Sequence, residues 1–147
     1  MSAAAPPIRV LLVDDDPAFA ELMTFVLRID AGAEIVGHAW DGVEGVELAG
    51  TLRPDVVVMD LRMPRMDGFE ATRRIAETVQ GTRVVVVSSS NEREDVERAH
   101  AAGATGYVPK DRAVAELPGE LGRLRAAKQS EKRRPLSLFF ARRLVLG

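Results

Sequence analysis

The sequence predicts an α/β fold, one parallel sheet with helices on both of its faces. Three observations predict it. Aliphatic runs such as Val10-Leu11-Leu12-Val13, Val56-Val57-Val58-Met59 and Val84-Val85-Val86-Val87 are continuous rather than alternating, as strands buried on both faces read. Segments with apolar residues at helical spacing lie between them. The connections are short and the alternation of strand and helix repeats five times, a pattern met by parallel strands with crossover helices.

Each element follows from local chemistry. Residues 8–13 read as the first strand. Asp16-Pro17 then supplies a helix N-cap with proline in the first helical position. Phe19, Leu22, Met23, Val26 and Leu27 recur at helical spacing until Gly32 stops the helix. Residues 34–39 form a second strand, less apolar, as an edge strand should be. Asp41-Gly42 opens a helix with Val43, Val46 and Leu48-Ala49, ending before Pro54. Residues 55–60 are the third and most hydrophobic strand. A loop with Pro64 and Asp67-Gly68 leads to a helix of about ten residues through Ala76. Residues 83–87 are the fourth strand, residues 93–102 a helix closed by Gly103, and residues 105–108 the fifth strand. A last helix carries Leu117, Leu121 and Leu124. Proline and glycine in Leu117-Pro118-Gly119 discourage an early start, so this helix is expected to begin at Pro118 and to be short. The strand order that fits best is 2-1-3-4-5, the flavodoxin-like (βα)5 three-layer sandwich, which sets the first and third strands side by side at the switch point.

The 147 residues suit one domain with a sizeable core. A net charge of −2 gives no reason to expect a nucleic-acid or membrane surface, and no apolar run approaches the roughly 20 residues of a membrane span. Without cysteine there is no disulfide or thiolate chemistry, and no signal peptide is visible, so a cytoplasmic protein is expected. Residues 1–7 read as a disordered lead-in, residues 8–127 as the domain, and residues 128–147 as a basic and apolar tail.

Chemistry gathers where the strands end. Asp14-Asp15 follow the first strand, Asp60 the third, Ser88 the fourth and Lys110 the fifth; only the edge strand lacks such a group. Open α/β sheets hold ligands beyond the carboxyl ends of their strands. Converging carboxylates repel one another unless a cation sits among them, and hard oxygen ligands of this kind suit Mg²⁺. Asp60 is capping, paired with Lys110, or a nucleophile able to form an aspartyl phosphate. Lys110 can pair with Asp60 at rest and with phosphoryl oxygens afterwards, and Ser88 offers a hydroxyl to another oxygen. Each residue has an ordinary alternative, Asp16 as a cap or Ser88-Ser89-Ser90 as loop chemistry, but capping explains nothing about Asp60 two strands later.

The runs Val-Asp-Asp-Asp-Pro at 13–17, Met-Asp-Leu-Arg-Met-Pro with Asp-Gly at 59–68, Val-Ser-Ser at 87–89 and Gly-Tyr-Val-Pro-Lys at 106–110 together resemble the receiver domain of two-component response regulators. The wording of the segments is most similar to receivers that precede a helix-turn-helix output domain. The resemblance implies that Asp60 is the phospho-acceptor and that Asp15, Asp60 and the Arg62 backbone carbonyl coordinate Mg²⁺, with Asp14 holding a metal-bound water. It implies that Lys110 binds the phosphoryl group, that Ser88 turns inward to it, and that Tyr107 follows from an outward to a buried rotamer. The implied donor is a sensor histidine kinase or phosphotransfer protein, and the implied output a homodimer or a protein partner. The chain would then be a signal transducer, catalysing only its own phosphorylation and dephosphorylation.

Some residues depart from that pattern. Asp111 follows Lys110 where many receivers have proline. Arg62 and Ser90, each two residues beyond a site residue, border the exposed side of the phosphate and are expected to tune its loss. His38 and His100 have no partner at ligand spacing and read as surface residues, and Trp40 as a packing residue. The tail, with Lys132-Arg133-Arg134 and Arg142-Arg143 around the apolar residues 136–140, is too short for a helix-turn-helix, so this chain is not expected to bind DNA directly. Two rivals are a phosphorylation-independent binding module and a haloacid-dehalogenase-type phosphatase with Asp14 as nucleophile and Asp16 as acid/base.

Overall fold

The structure, a computed structural model, describes residues 6–132. Five strands, β1 (Arg9–Val13), β2 (Glu34–Ala39), β3 (Val56–Met59), β4 (Arg83–Ser88) and β5 (Gly106–Pro109), alternate with five helices. These are α1 (Pro17–Ala31), α2 (Gly42–Leu52), α3 (Gly68–Thr78), α4 (Arg93–Ala102) and α5 (Ala113–Lys132). The sheet is parallel with order β2-β1-β3-β4-β5, the order predicted.

Alternation along the strands divides the core in two. Val10, Leu12, Val56, Val58, Val85 and Val87 meet Met23 and Leu27 of α1 and Leu117, Leu121 and Leu124 of α5. On the other face Leu11, Val13, Val57, Met59, Val84 and Val86 meet Ala49 of α2, Phe69 and Ile75 of α3 and Ala99 of α4. The aliphatic runs are continuous because both faces of these strands are covered.

The ends of the helices obey the residues read as caps. The Asp16 carboxylate accepts from the N–H groups of Ala18 and Phe19, Asp41 from Glu44, and Asp67 from Glu70. Gly32 and Gly103 take the left-handed conformation that closes α1 and α4.

One element differs from its sequence reading. α5 neither starts at Pro118 nor is short: it begins at Ala113, directly after a 3₁₀ turn over Lys110–Arg112, and Pro118 lies inside it. A proline inside a helix costs about 3 kcal/mol. Against that, Ala113, Leu117 and Leu121 are fully buried and Leu124 nearly so, and each buried leucine contributes about 1.5–3 kcal/mol. Tertiary burial outweighs the local penalty. The helix continues through residue 127 without a break, and the tail from residue 133 onward lies outside the described residues, as do residues 1–5.

Candidate functional site

The acidic pocket is built at the carboxyl ends of β1 and β3, which pair in register with Val13 opposite Met59. The next residue on each strand is therefore an aspartate beside an aspartate, and the Asp60 N–H donates to the Val13 carbonyl at 2.9 Å. Asp14 and Asp60 are buried, whereas Asp15 is exposed. One carboxylate oxygen from each of Asp14, Asp15 and Asp60 lies within 4.8 Å of the others. Two ligands facing each other across Mg²⁺ stand about 4.2 Å apart, at about 2.1 Å each, so the hard oxygen set fits such an ion.

Close approach of α3 shapes the floor. A Cβ on Gly68 would stand 2.0 Å from the Asp60 carbonyl oxygen, so only glycine lets the helix start there. The intervening loop is held from outside by Arg65, whose guanidinium donates to both carboxylate oxygens of Asp41 at 2.7 and 3.1 Å.

Lys110 enters from the end of β5. Its Nζ lies 3.0 Å from Asp14 Oδ2 and 3.7 Å from Asp60 Oδ2, and 4.7 Å from the centre of the Phe19 ring. Burial works against its charge, but the bond to Asp14 and the field of Asp60 outweigh burial and raise its pKa. Asp60 is perturbed the other way from an ordinary carboxylate. Burial first, then the Asp14 charge, push it up to about 6 although Lys110 pulls down, and Asp15 adds to the rise. The pocket thus holds more negative charge than its lysine neutralises.

A sequence model of the response regulator receiver domain matches residues 10–121. The chain belongs to that family. A protein-glutamate methylesterase/protein-glutamine glutaminase of Myxococcus xanthus is 49% identical over 102 residues, 69% of this chain and 28% of the relative. The transcriptional regulatory protein PdtaR of Mycobacterium tuberculosis is 42% identical over 114 residues, 78% of this chain and 55% of the relative. The chain therefore spans about half, or less, of these curated relatives. Among solved structures, the receiver domain of the putative response regulator NarL from Mycobacterium tuberculosis superposes with a TM-score of 0.74 at 32% identity. That match covers 88% of this chain and 100% of the other.

In this receiver, Asp14, Asp15, Asp60 and Lys110 come together as the strand-end reading expected. Ser88 is fully buried at the end of β4, and its Oγ accepts from the Ser90 N–H at 3.2 Å. Tyr107 is half-buried, its hydroxyl donating to the Ser90 carbonyl at 2.5 Å. The Arg62 side chain extends to Asp95 of α4, with Nη2 at 3.4 Å from Oδ2.

Two residues of this neighbourhood escaped the sequence reading. Asp95 is buried and also takes the Ser90 hydroxyl at 2.6 Å, so it ties Arg62 and Ser90, the two residues expected to border the phosphate, to one carboxylate. Its only signal was an acidic residue in the first turn of a helix, which reads as ordinary helix-dipole chemistry. His38 is not the surface residue it was read as: it is half-buried and its ring bonds to Asp14. His100 is exposed, as expected. Trp40 packs on the His38 ring, with centroids 3.7 Å apart, while 43% exposed.

Proposed function

We propose that this receiver is a phosphoryl-operated switch of a two-component phosphorelay, with Asp60 as its acceptor. The observation that carries the reading is the excess of carboxylate over ammonium in one pocket: oxygens of three aspartates lie within 4.8 Å of one another, and the single Lys110 pairs with two of them, Asp14 and Asp60. Such a pocket repels an incoming phosphoryl group until a cation joins it, which couples the two. Mg²⁺, held by Asp15, Asp60 and the Arg62 carbonyl with Asp14 behind a bound water, would neutralise the phosphoryl oxygens and leave Asp60 ionised.

The remaining work belongs to the chain. The Asp60 carboxylate oxygen attacks phosphorus, the bond from phosphorus to the donor's imidazole nitrogen breaks, and an acyl phosphate is formed. Lys110 exchanges its bond to Asp14 for one to a phosphoryl oxygen on Asp60, and the Ser88 hydroxyl gives up Ser90 N–H to donate to another. With the Ser88 contact gone, the Ser90 carbonyl that holds Tyr107 is freed to move, which joins acceptor and switch residue. Moving a population from 1:99 to 99:1 takes about 5.5 kcal/mol. Two charge-assisted contacts at about 1.5–3 kcal/mol each are of that order.

The domain proposed is residues 8–127, in the cytoplasm, acting on no substrate but its own phosphoryl group and answering a sensor kinase or phosphotransfer protein. Among the described residues no helix is long and apolar enough to cross a membrane. The esterase named in the Myxococcus xanthus relative is not carried over, because the likeness spans 28% of that protein. Family membership disfavours the phosphatase reading, which leaves Asp60 unexplained, and the complete pocket argues against a phosphorylation-independent module.

Incubation with Mg²⁺ and acetyl phosphate, followed by intact-mass measurement, tests the proposal. The parent should gain one phosphoryl group and Asp60→Asn none. A label surviving Asp60→Asn while lost in Asp14→Asn would overturn it in favour of the phosphatase.

A further inference from the structure

Asp15 is the exposed member of the acidic trio, and its carboxylate takes no hydrogen bond or ion pair among the described residues. Its place beside Asp14 and Asp60 is therefore set by its backbone, and that backbone begins with the Asp14–Asp15 peptide. The Asp14 N–H is committed to the Ala39 carbonyl at 3.0 Å, and the Asp14 carboxylate to the Asp16 N–H and Lys110. What holds the carbonyl of the Asp14–Asp15 peptide is the ring of His38, with Nε2 at 3.2 Å.

This contact depends on an irregularity in the edge strand. Pairing between β1 and β2 shifts by one residue between Val10 and Leu11, which sets Gly37 opposite Leu11 and His38 opposite Leu12. A one-residue shift exchanges the faces of every later side chain, and bulges that re-aim a side chain recur beside functional sites. Gly37 faces α2, since a Cβ there would stand 2.8 Å from Leu52. His38, the next residue, therefore points to the α1 side, where the chain leaves β1 through Asp14. Trp40 covers the ring at 3.7 Å, limiting the water that competes for the bond.

We infer that His38 is a positioning residue for cation binding: by donating Nε2–H to the Asp14 carbonyl it orients the peptide that presents the Asp15 carboxylate. A carbonyl oxygen only accepts, so the ring must carry its proton on Nε2. The edge strand, whose end has no carboxylate, hydroxyl or amine, thus contributes to the pocket through a side chain one turn of the ladder earlier. The inference rests on the proposed Mg²⁺ role of the aspartates.

The test reads Mg²⁺ affinity from the Mg²⁺-dependent rise in melting temperature, without any phosphoryl donor. Groups that orient metal ligands are worth on the order of tenfold or more in affinity. His38→Leu should bind Mg²⁺ about tenfold more weakly than the parent. His38→Gln, whose amide nitrogen reaches the Nε2 position, should recover most of the loss, and His38→Asn, one carbon shorter, should not. Asn replaces Leu as the weakened variant if the leucine protein does not fold. Equal affinity in all variants, or no recovery with glutamine, overturns the inference while leaving the receiver reading intact. A ring carrying its proton on Nδ1 alone, seen in its ¹⁵N shifts, also overturns it. A parent whose melting temperature ignores Mg²⁺ removes the metal reading itself, and the inference with it.

Discussion

Asp55 and Asp60 bracket the same four-residue strand, β3, and stand in opposite electrostatic surroundings. At the amino end, burial pushes Asp55 up, but the ion pair with Lys128 and the Arg9 N–H, which donates at 2.8 Å, outweigh burial and hold its pKa below the usual value. At the carboxyl end Asp60 has a lysine too, yet burial and two neighbouring aspartates win and its pKa climbs to about 6. A carboxylate with matched partners fastens the fold; a carboxylate outnumbered by its own kind has the charge to hold a cation. Both are aspartates beside lysines; deeper burial and the neighbouring aspartates at one end, and direct hydrogen bonds at the other, tell them apart.

The largest expected effect separates the two by pH in metal-free protein. Asp60, raised in the folded state, binds its proton more readily folded than unfolded, so stability falls as pH rises from 3.8 toward about 6. At about 1.4 kcal/mol per unit the loss is on the order of 3 kcal/mol. Urea unfolding in chelator should show this fall in the parent and lose it in Asp60→Asn. A slope that persists in the variant would mean that another group carries it. Asp55 has the opposite sign: its folded pKa is lowered, so its contribution is complete above 3.8 and disappears as pH falls below that value.

Next in size is Gly68→Ala, which presses on one end of the strand alone. The added Cβ would stand 2.0 Å from the Asp60 carbonyl and 2.7 Å from Leu61 Cα, and overpacking of this kind costs about 1–3 kcal/mol. Denaturant midpoints should drop accordingly, and the response to Mg²⁺ should weaken with them. A neutral substitution would show that α3 can back away from the pocket.

The smallest effect is expected at the other end. Lys128→Ala removes the partner of Asp55, but the lysine side chain is 42% exposed, which screens the pair. The loss should stay below about 1 kcal/mol at neutral pH. Mg²⁺ affinity should be unchanged, since Lys128 lies at the far end of the sheet, and a changed affinity would contradict the independence of the two ends.

Much of this was legible in the residues. Val10 to Val13 and Val84 to Val87 read as doubly covered strands because burial on both faces permits nothing else, and Asp14, Asp60 and Lys110 stood out because a charge ending an aliphatic run has few uses. The misses share one cause, contacts whose partners are distant in sequence. Pro118 reads as a helix start until Leu117, Leu121 and Leu124 are seen buried against α1 and the sheet. Asp55 meets Lys128 across 73 positions, and Arg62 meets Asp95 across 33. His38 reaches Asp14 through a bulge, and a one-residue irregularity in an edge strand leaves no trace in composition or period.

The 3₁₀ turn over Lys110–Arg112 passes into α5 with no loop between. The lysine that touches both buried aspartates is thus the root of a rod twenty residues long, about 30 Å at 1.5 Å per residue. Tilting such a rod by about 5° at its root sweeps its far end through about 2–3 Å. The pocket lysine and Lys128, the partner of Asp55, thus sit at opposite ends of one unbroken helical run.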